Sequence, residues 1–232
     1  MSDDTPRVCI DRDLPSAYGA EEMAIEIAKK WETGKTLRVT FLSGMPAVQE
    51  KVVAYARQWE EYANIRLEFG SSTEAEIRVA FLGDGSSWSA VGTDALNQDF
   101  FPRGGPTMNF GWLTSDSTDD EYSRVVLHEF GHALGCIHEH QSPDGGIPWN
   151  REAVYRYYGA RGWSKRVVDQ QVLRRYDRST TQFTDFDPTS IMEYPVPKEL
   201  TDGAFEIGWN MRLSESDKAF IAELYPRAAT GT

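Results

Sequence analysis

All four histidines of this 232-residue chain lie within one thirteen-residue stretch, from His128 to His140. His128 and His132 are four residues apart, so an α-helix would project both imidazoles from one face, about 6 Å apart along the axis. Two neutral imidazoles placed in this way can bind one metal ion. The stretch constrains the fold strongly, because it needs a helix that ends at a defined point.

A third metal ligand requires the chain to reverse its direction. His138 follows His132 by six residues, and a straight helix would carry it roughly 9 Å further along and off the metal-binding face. Gly135 lies between them and can adopt the left-handed conformation that ends helices. After such a turn His138 can supply the third nitrogen. Three protein ligands leave one position for water, which is typical of a catalytic rather than a structural zinc site.

Glu129 is the residue that separates catalysis from simple metal binding. It is rotated by about 100° around the helix from His128, too far to be a third ligand but well placed to reach a water on the metal. That is the role of a general base. The whole pattern, His-Glu-x-x-His-x-x-Gly-x-x-His, is the extended zincin motif. His140 is interpreted as a residue behind the ligands or on the surface.

The composition indicates a folded, acidic protein. Apolar residues make up 40% of the chain and aromatic residues 12%, which suits a globular domain with a sizeable core. The formal net charge of −12 argues against nucleic acid and against anionic membrane surfaces as partners. We expect a monomer that acts on a protein or peptide substrate, with neither nucleic acid nor a membrane as a partner.

Targeting features are sparse. The sequence contains no run of about 18 apolar residues, so no transmembrane helix is predicted. Residues 1–19 lack the basic and apolar regions of a signal peptide. The two cysteines, Cys9 and Cys136, are fewer than a disulfide-stapled secreted domain normally carries.

Hydrophobic periodicity predicts an α+β fold. Alternating segments predict a twisted mixed sheet of about five strands. Helical periodicity predicts two long helices, the second of which carries the metal motif, and a C-terminal helix. The predicted strands are 36–42, 65–69, 76–82 and 107–113, and 87–91 could be an edge strand. The main predicted helices are 20–31, 46–63, one that is capped by Ser117 or Thr118 and runs into the metal motif, and one that is capped by Ser214 and runs through Tyr225. One domain, 1–232, is expected, with a lead-in or pro-segment at 1–35, a sheet-rich subdomain at 36–138 and a loop-rich C-terminal subdomain at 139–232.

Several stretches together resemble the astacin family of metzincin peptidases, and especially its bacterial members. The metal motif is followed at once by Glu139, and Ser190-Ile191-Met192-Glu193-Tyr194 follows some fifty residues later. Further stretches that resemble bacterial astacin-like peptidases lie at residues 59–65, 87–89, 106–109 and 213–218. The resemblance covers about residues 36–226 and implies a metzincin-type catalytic domain, one catalytic zinc ion and an extracellular location.

The resemblance also implies roles for two residues after the motif. Met192 would form a tight turn whose thioether packs beneath the zinc histidines as an apolar floor; an ordinary core methionine is the alternative. Tyr194 would ligate zinc in the resting enzyme and swing away to hydrogen-bond the tetrahedral intermediate; a buried structural tyrosine is the alternative.

Three positions depart from the family pattern. The usual disulfide cysteines are absent, Glu193 stands where histidine is common, and Cys136 stands where a bulky apolar residue is usual. Glu139 matches the residue that pairs with a freshly cut amino terminus in the animal enzymes. Because this chain has a lead-in before the catalytic core, a surface glutamate is an equal alternative.

The lead-in contains two groups that could ligate zinc, Cys9 and Asp11, with Asp13 as a further carboxylate. Residues 6–11 resemble the cysteine-switch segment of matrixins, whereas astacins use an aspartate from the pro-segment. Thiolate and carboxylate both suit zinc. The interpretation favoured by the sequence is that the segment simply packs on the domain, and latency through Cys9 or Asp11 is the alternative.

The predicted function is zinc-dependent endopeptidase activity. Zinc would be held by His128, His132 and His138, with Glu129 as general base. The substrate would lie extended along an edge strand near Trp88, Ser89, Ala90 and Val91. Lys198 and Arg212 could line a pocket that prefers acidic residues, although spacing alone does not place them. The alternatives are a non-catalytic zinc-bound recognition or toxin module, and a zinc hydrolase of a non-peptide amide or ester.

Overall fold

The computed structural model of the chain describes Cys9 and residues 29–142, 146–175 and 186–228. Its centre is a five-stranded sheet with strand order β2-β1-β3-β5-β4. The strands are β1 (Thr36–Phe41), β2 (Arg66–Phe69), β3 (Ile77–Ala80), β4 (Ser87–Ser89) and β5 (Met108–Phe110). β4 pairs antiparallel with β5 at one edge, and the other neighbouring strands pair in parallel. The predicted α+β fold with a mixed sheet is confirmed.

Five α-helices accompany the sheet in the described part of the chain. They are α1 (Pro46–Ala56), α2 (Asp119–Ala133), α3 (Arg151–Gly159), α4 (Lys165–Val168) and α5 (Glu215–Leu224). The helix predicted to reach Ala63 tightens into a 3-10 helix after Ala56. There the buried Trp59 indole donates to the Leu127 carbonyl of α2, 3.0 Å away. Most of the helix predicted at 20–31 falls outside the described residues, and Lys29 to Trp31 are not helical.

The main core lies between the sheet and the helices α1 and α2. Its largest fully buried side chains include Trp59, Trp88, Tyr122 and Phe130. Full burial of a side chain such as Phe130 stabilises the fold by about 1.5–3 kcal/mol. Since α2 carries the metal motif, this packing fixes one wall of the site to the sheet.

Trp31 and Tyr225 meet under the carboxyl end of α2. Trp31 is 2% exposed and belongs to the main core, although the sequence placed it in the lead-in. Its indole N–H donates to the Ala133 carbonyl at 2.8 Å. The Tyr225 hydroxyl donates to the Leu134 carbonyl at 2.7 Å and accepts from the Trp31 backbone N–H at 3.2 Å. Two carbonyls at the helix end, which lack partners within the helix, are satisfied in this way.

The C-terminal half is built around smaller clusters. One joins α3 and α4 through Val154, Tyr158 and Val168, and another joins Ile147 to Val196. Cys9 and Cys136 are both free thiols. Within the described residues, none of the helices combines the length and the apolar character needed to cross a membrane.

Candidate metal centre and active site

The metal motif occupies the buried second half of α2. The helix begins at a Thr118 cap, whose side-chain oxygen accepts from the Glu121 backbone N–H at 3.2 Å. It ends at Leu134, and Gly135 follows with a φ of 97°. The left-handed turn predicted at this glycine is therefore present, and it returns the chain so that His138 reaches the site.

The three predicted ligand nitrogens converge on one point. The Nε2 atoms of His128 and His138 are 3.1 Å apart, and His132 Nε2 lies 3.2 Å from each of them. A zinc ion with Zn–N bonds of about 2.0–2.1 Å in tetrahedral geometry would separate its nitrogen ligands by roughly 3.3–3.4 Å. The donor set and its spacing therefore fit a single zinc ion.

The outer nitrogens of two rings are held by carbonyls. His128 Nδ1 lies 2.8 Å from the Ile191 carbonyl oxygen, and His132 Nδ1 lies 2.9 Å from that of Cys136. A carbonyl accepts a hydrogen bond, so each Nδ1 carries the proton and each Nε2 lone pair faces the centre. Burial, and then the neighbouring imidazoles, hold the pKa values of His128 and His138 well below the usual range. Neutral rings of this kind are the form that binds metal.

Cys9 lies at the same point as the three histidines. Its sulfur and the ligand nitrogens all lie within 4.8 Å of one another. Its thiol donates to Glu129 Oε2 at 3.3 Å, and it bridges to β4 at Ser87. The structure thus brings the Cys9 thiol to the proposed metal ligands. Asp11 and Asp13, the rival residues, lie outside the described residues.

The Tyr194 ring lies against the metal-binding rings, stacked with His128 and tilted relative to His138. Its ring centroid is 4.2 Å from that of His138 and 4.8 Å from that of His140. Its hydroxyl donates to the Cys9 carbonyl at 2.5 Å. His140 lies behind the three ligands, where its Nε2 is 3.0 Å from the Gln171 carbonyl, so it supports the tyrosine rather than joining the ligand group.

The segment around Met192 is hydrogen-bonded to Glu139 after the ligand His138 and to Asp217 of α5. The Met192 carbonyl accepts from the Glu139 backbone N–H at 3.1 Å, next to the ligand His138. Asp217 holds the segment from below, because its carboxylate accepts from the Ser190 hydroxyl at 2.6 Å and from the Ile191 backbone N–H at 2.8 Å. The sequence analysis missed Asp217. The sequence feature that could have revealed Asp217 is the capping box that it forms with Ser214 at the start of α5.

Gly131 leaves the space that Met192 fills. A Cβ atom at Gly131 would overlap the Met192 sulfur and lie 3.2 Å from Trp59 Cζ2. Both neighbours are nearly fully buried. Gly131, at a variable position of the motif, therefore allows the methionine to pack directly beneath the metal-binding helix.

Gly131→Ala is expected to destabilise the protein despite the better helix propensity of alanine. Overpacking costs about 1–3 kcal/mol, whereas the propensity gain is at most about 1 kcal/mol. We expect a net loss of about 1–2 kcal/mol, or a fall in Tm of about 2–8 °C, measurable by scanning calorimetry. Gly159→Ala, at the end of α3 with no atom near its Cβ, is the matched control and should not lower Tm. An unchanged Tm for Gly131→Ala would contradict this tight packing.

The acidic residues beside the site, Glu139 and Glu193, are largely buried. Glu139 accepts from the Asp187 backbone N–H at 3.0 Å, and burial raises the pKa of its carboxyl to about 7. Burial, and then the charge of Glu139, hold the pKa of Glu193 well above its usual range. Cys136 is buried, and burial raises the pKa of its thiol; it is not among the clustered ligands.

The side chains of the edge strand β4 are buried, so a bound peptide would meet its backbone. All four residues named as substrate-binding from the sequence, Trp88, Ser89, Ala90 and Val91, are buried. The Trp88 ring stacks on Phe101, with centroids 6.4 Å apart. Any contact of a bound chain with this strand would therefore use main-chain groups, as the Cys9 bridge does.

A pocket beside Glu129 is lined by side chains that the sequence analysis did not single out. Its lining includes Trp112, Arg124 and Trp209, and the Arg124 guanidinium carbon lies 4.0 Å from the centroid of the Trp209 ring. Arg124 had a detectable signal, since it precedes His128 by four residues and so lies on the metal-binding face of α2. The basic residues considered from the sequence lie elsewhere: Lys198 pairs with Glu206 at 3.3 Å, and Arg212 is exposed.

The mixed sheet, the metal-binding helix and the methionine segment beneath it together define the metzincin class of zinc metallopeptidases. Two solved structures of myroilysin are similar to the chain. One is 44% identical, covers 87% of this chain and 98% of the other, and has a TM-score of 0.84. The second is 41% identical, covers 97% and 93%, and has a TM-score of 0.72.

More distant relatives agree with this class. High choriolytic enzyme 1, a hatching enzyme zinc-protease of the medaka fish Oryzias latipes, is 17% identical with a TM-score of 0.59 over 85% of this chain and 94% of the other, which supports the fold alone. Matrix metalloproteinase-2 of Drosophila melanogaster is 31% identical over 106 residues, 39% of this chain. The chain spans 14% of that relative's length. No family model matches the chain.

The chain belongs to the astacin-like family of zinc metallopeptidases, as the sequence resemblance predicted. It is accordingly a metalloendopeptidase by class.

Proposed function

We propose that the chain cleaves internal peptide bonds of proteins with one zinc ion held by His128, His132 and His138. The observation that carries the proposal is the convergence of the three Nε2 atoms, 3.1–3.2 Å apart. When bound, zinc would supply Lewis-acid polarisation of the scissile carbonyl and would make water a stronger acid.

Glu129 is proposed as the general base. Its carboxylate is 1% exposed and lies 3.3 Å from the Cys9 sulfur, the atom that joins the three nitrogens as a fourth potential ligand. The carboxylate therefore borders the position that a water molecule would take once Cys9 has left. It would accept the proton of the attacking water and pass it to the leaving amine.

Tyr194 is proposed to stabilise the oxyanion. Its hydroxyl already donates to a carbonyl, that of Cys9, within the cleft. A donor aimed at the place where a substrate carbonyl would lie stabilises the negative charge that develops on that oxygen. The proposed role in the resting enzyme, as a zinc ligand, comes from the family resemblance.

The substrate is proposed to lie extended along β4. The Cys9 bridge to Ser87 supports this, because it places a peptide chain against the edge strand. Backbone pairing of this kind binds extended peptides with little dependence on sequence. The contacts would come from the main chain of residues 87–91, whose side chains are largely buried.

We also propose that Cys9 keeps the uncleaved chain latent. Its thiolate would take the fourth position on zinc, and its carbonyl occupies Tyr194. Activation would then require removal or displacement of the segment that carries Cys9. Because Trp31 is part of the main core, we place the end of the removable segment before Lys29. Action outside the cell and a monomeric state remain expectations.

The test is a peptide-library digest with the full chain and with its Cys9→Ser variant. We expect cleavage of internal peptide bonds that a chelator abolishes and added zinc restores, with cut sites read by mass spectrometry. Zinc binding without any cleavage by either protein would favour a recognition module. Turnover of amide or ester compounds alone would favour a non-peptide hydrolase.

A further inference from the structure

We propose that His140, held by the π-helical turn Asp169–Leu173, is a positioning residue that keeps the Tyr194 hydroxyl aimed into the cleft. The proposal rests on the endopeptidase function proposed above and deepens it, because it names the residue through which the oxyanion donor is aimed. His140 is the fourth histidine of the opening stretch and does not belong to the group of converging ligand atoms.

The Tyr194 ring is surrounded by three imidazole rings. Its centroid lies 5.9 Å from that of His128, 4.2 Å from that of His138 and 4.8 Å from that of His140. His128 and His138 are proposed zinc ligands, so a bound metal would fix both of their rings. His140 is not a proposed ligand, and only contacts within the protein can fix its ring against the phenol.

The end of a neighbouring helix supplies that contact. α4 continues directly into the π-helical turn Asp169–Leu173, where the helix ends. Carbonyls in the last turn of a helix have no partner within it. His140 Nε2 lies 3.0 Å from the Gln171 carbonyl, and Gln141 Nε2 donates to the Gln170 carbonyl at 2.9 Å. The residues just after the third ligand are thus attached to a π turn, an element that is frequent at functional sites.

Glu193 connects the backbone of Tyr194 to the same imidazole. Its Oε1 accepts from the Tyr194 backbone N–H at 2.9 Å and lies 3.8 Å from His140 Nδ1. All three side chains are at most 5% exposed, in an interior where close packing leaves a ring few other positions. Loss of the His140 ring would leave a cavity into which the phenol could tilt.

The aim of the Tyr194 hydroxyl matters because it donates to a peptide carbonyl in the cleft. That carbonyl belongs to Cys9, which also bridges to the edge strand β4 at Ser87. Removal of an oxyanion donor costs about 10²–10³ in kcat, and a misplacement of about 1 Å can cost about 10²-fold. Because His140 acts through Tyr194, its loss cannot cost more than the loss of the hydroxyl itself.

The experiment is a double-mutant cycle on the full chain in the Cys9→Ser background. His140→Ala should lower kcat by about tenfold to a hundredfold, with KM changed less than about threefold and zinc content unchanged. Together with Tyr194→Phe, the same change should cost less than about threefold, because no hydroxyl is left to aim. His140→Phe keeps a ring but loses the bond to Gln171, so its kcat should be intermediate.

The matched control is Trp163→Ala. The Trp163 ring stacks on Tyr158, with centroids 5.0 Å apart, in the cluster that joins α3 and α4. This variant also removes a stacked ring from the C-terminal half, and it should lower Tm while leaving kcat within about threefold of the parent.

Crystal structures of the uncleaved parent and His140→Ala chains give a readout that does not depend on turnover. We expect the Tyr194 hydroxyl to remain within hydrogen-bond distance of the Cys9 carbonyl in the parent and to leave it in the variant. If His140→Ala does not fold, His140→Phe takes its place in both the cycle and the structure.

Two results would overturn the proposal. One is an equal fall in kcat with and without Tyr194→Phe, which would make His140 merely structural. The other is an unmoved Tyr194 ring in the structure of the His140 variant. Failure of the endopeptidase function looks different, because neither the parent nor any variant would then cleave peptides, and the crystal structures would still decide the role of His140.

Discussion

Glu129→Gln is expected to keep zinc and to lose peptidase activity by about 10²–10⁴-fold, the usual contribution of a general base. The amide has nearly the shape of the carboxylate, and backbone carbonyls hold the outer nitrogens of His128 and His132. The measurement is kcat/KM on the best library peptide, together with zinc content by atomic absorption. Both should be made in the Cys9→Ser background, so that latency does not hide the effect.

The control for this variant is Glu50→Gln, the same chemical change at an exposed position of α1. It should retain full activity and full zinc content. If Glu129→Gln retained zinc and kept its rate within about threefold, which is below the usual range for a general base, proton transfer would have to be assigned to another group.

Cys9→Ser is expected to release activity in the uncleaved chain. The substitution removes the sulfur from the cluster of ligand atoms, while the backbone bond from Tyr194 to the Cys9 carbonyl can persist. We therefore expect partial release, on the order of tenfold or more in initial rate, which corresponds to about 1.4 kcal/mol of lost attachment. The assay is the first minute of peptide hydrolysis, before any processing of the chain, followed by gel analysis.

Cys136→Ala is the matched control for loss of a buried thiol. Cys136 lies in the main core and not among the clustered ligand atoms, so this variant should stay as latent as the parent. Equal activity of the parent and Cys9→Ser chains would exclude latency through this thiol. Release by both cysteine variants would point to general loosening of the fold.

The metal ligands could be predicted because their geometry is local. His128 and His132 are separated by one helical turn, and Gly135 supplies the reversal that His138 needs; each of these follows from backbone geometry over a few residues. The strands were predicted for the same reason, since alternation is a property of short segments.

The residues whose hydrogen bonds hold the site in place could not be predicted from local sequence patterns. Asp217 holds the Met192 segment through Ser190 and Ile191, more than twenty residues away. Trp31 reads as part of a plausible helix, yet it satisfies a carbonyl of Ala133 and joins the core. Such contacts depend on which distant segments the fold brings together, and one sequence contains no direct record of that.

The lining of the pocket beside Glu129 lies between these two cases. Arg124 could have been noticed, because it continues the spacing of the metal motif toward the amino end of α2. Trp209 could not, since residues 201–214 show no regular periodicity that would place it against α2. The sequence instead drew attention to Lys198 and Arg212, which lie outside the pocket lining.

The hydroxyl of Tyr225 on the Leu134 carbonyl has a consequence for the order of events on the ribosome. The metal motif is translated long before α5, yet the end of its helix and the segment beneath it are fastened by Tyr225 and Asp217. Neither hydrogen bond can form until α5 has left the exit tunnel. A nascent chain thus carries all three histidines without the contacts that align them, and the site is completed only after α5 has been synthesised.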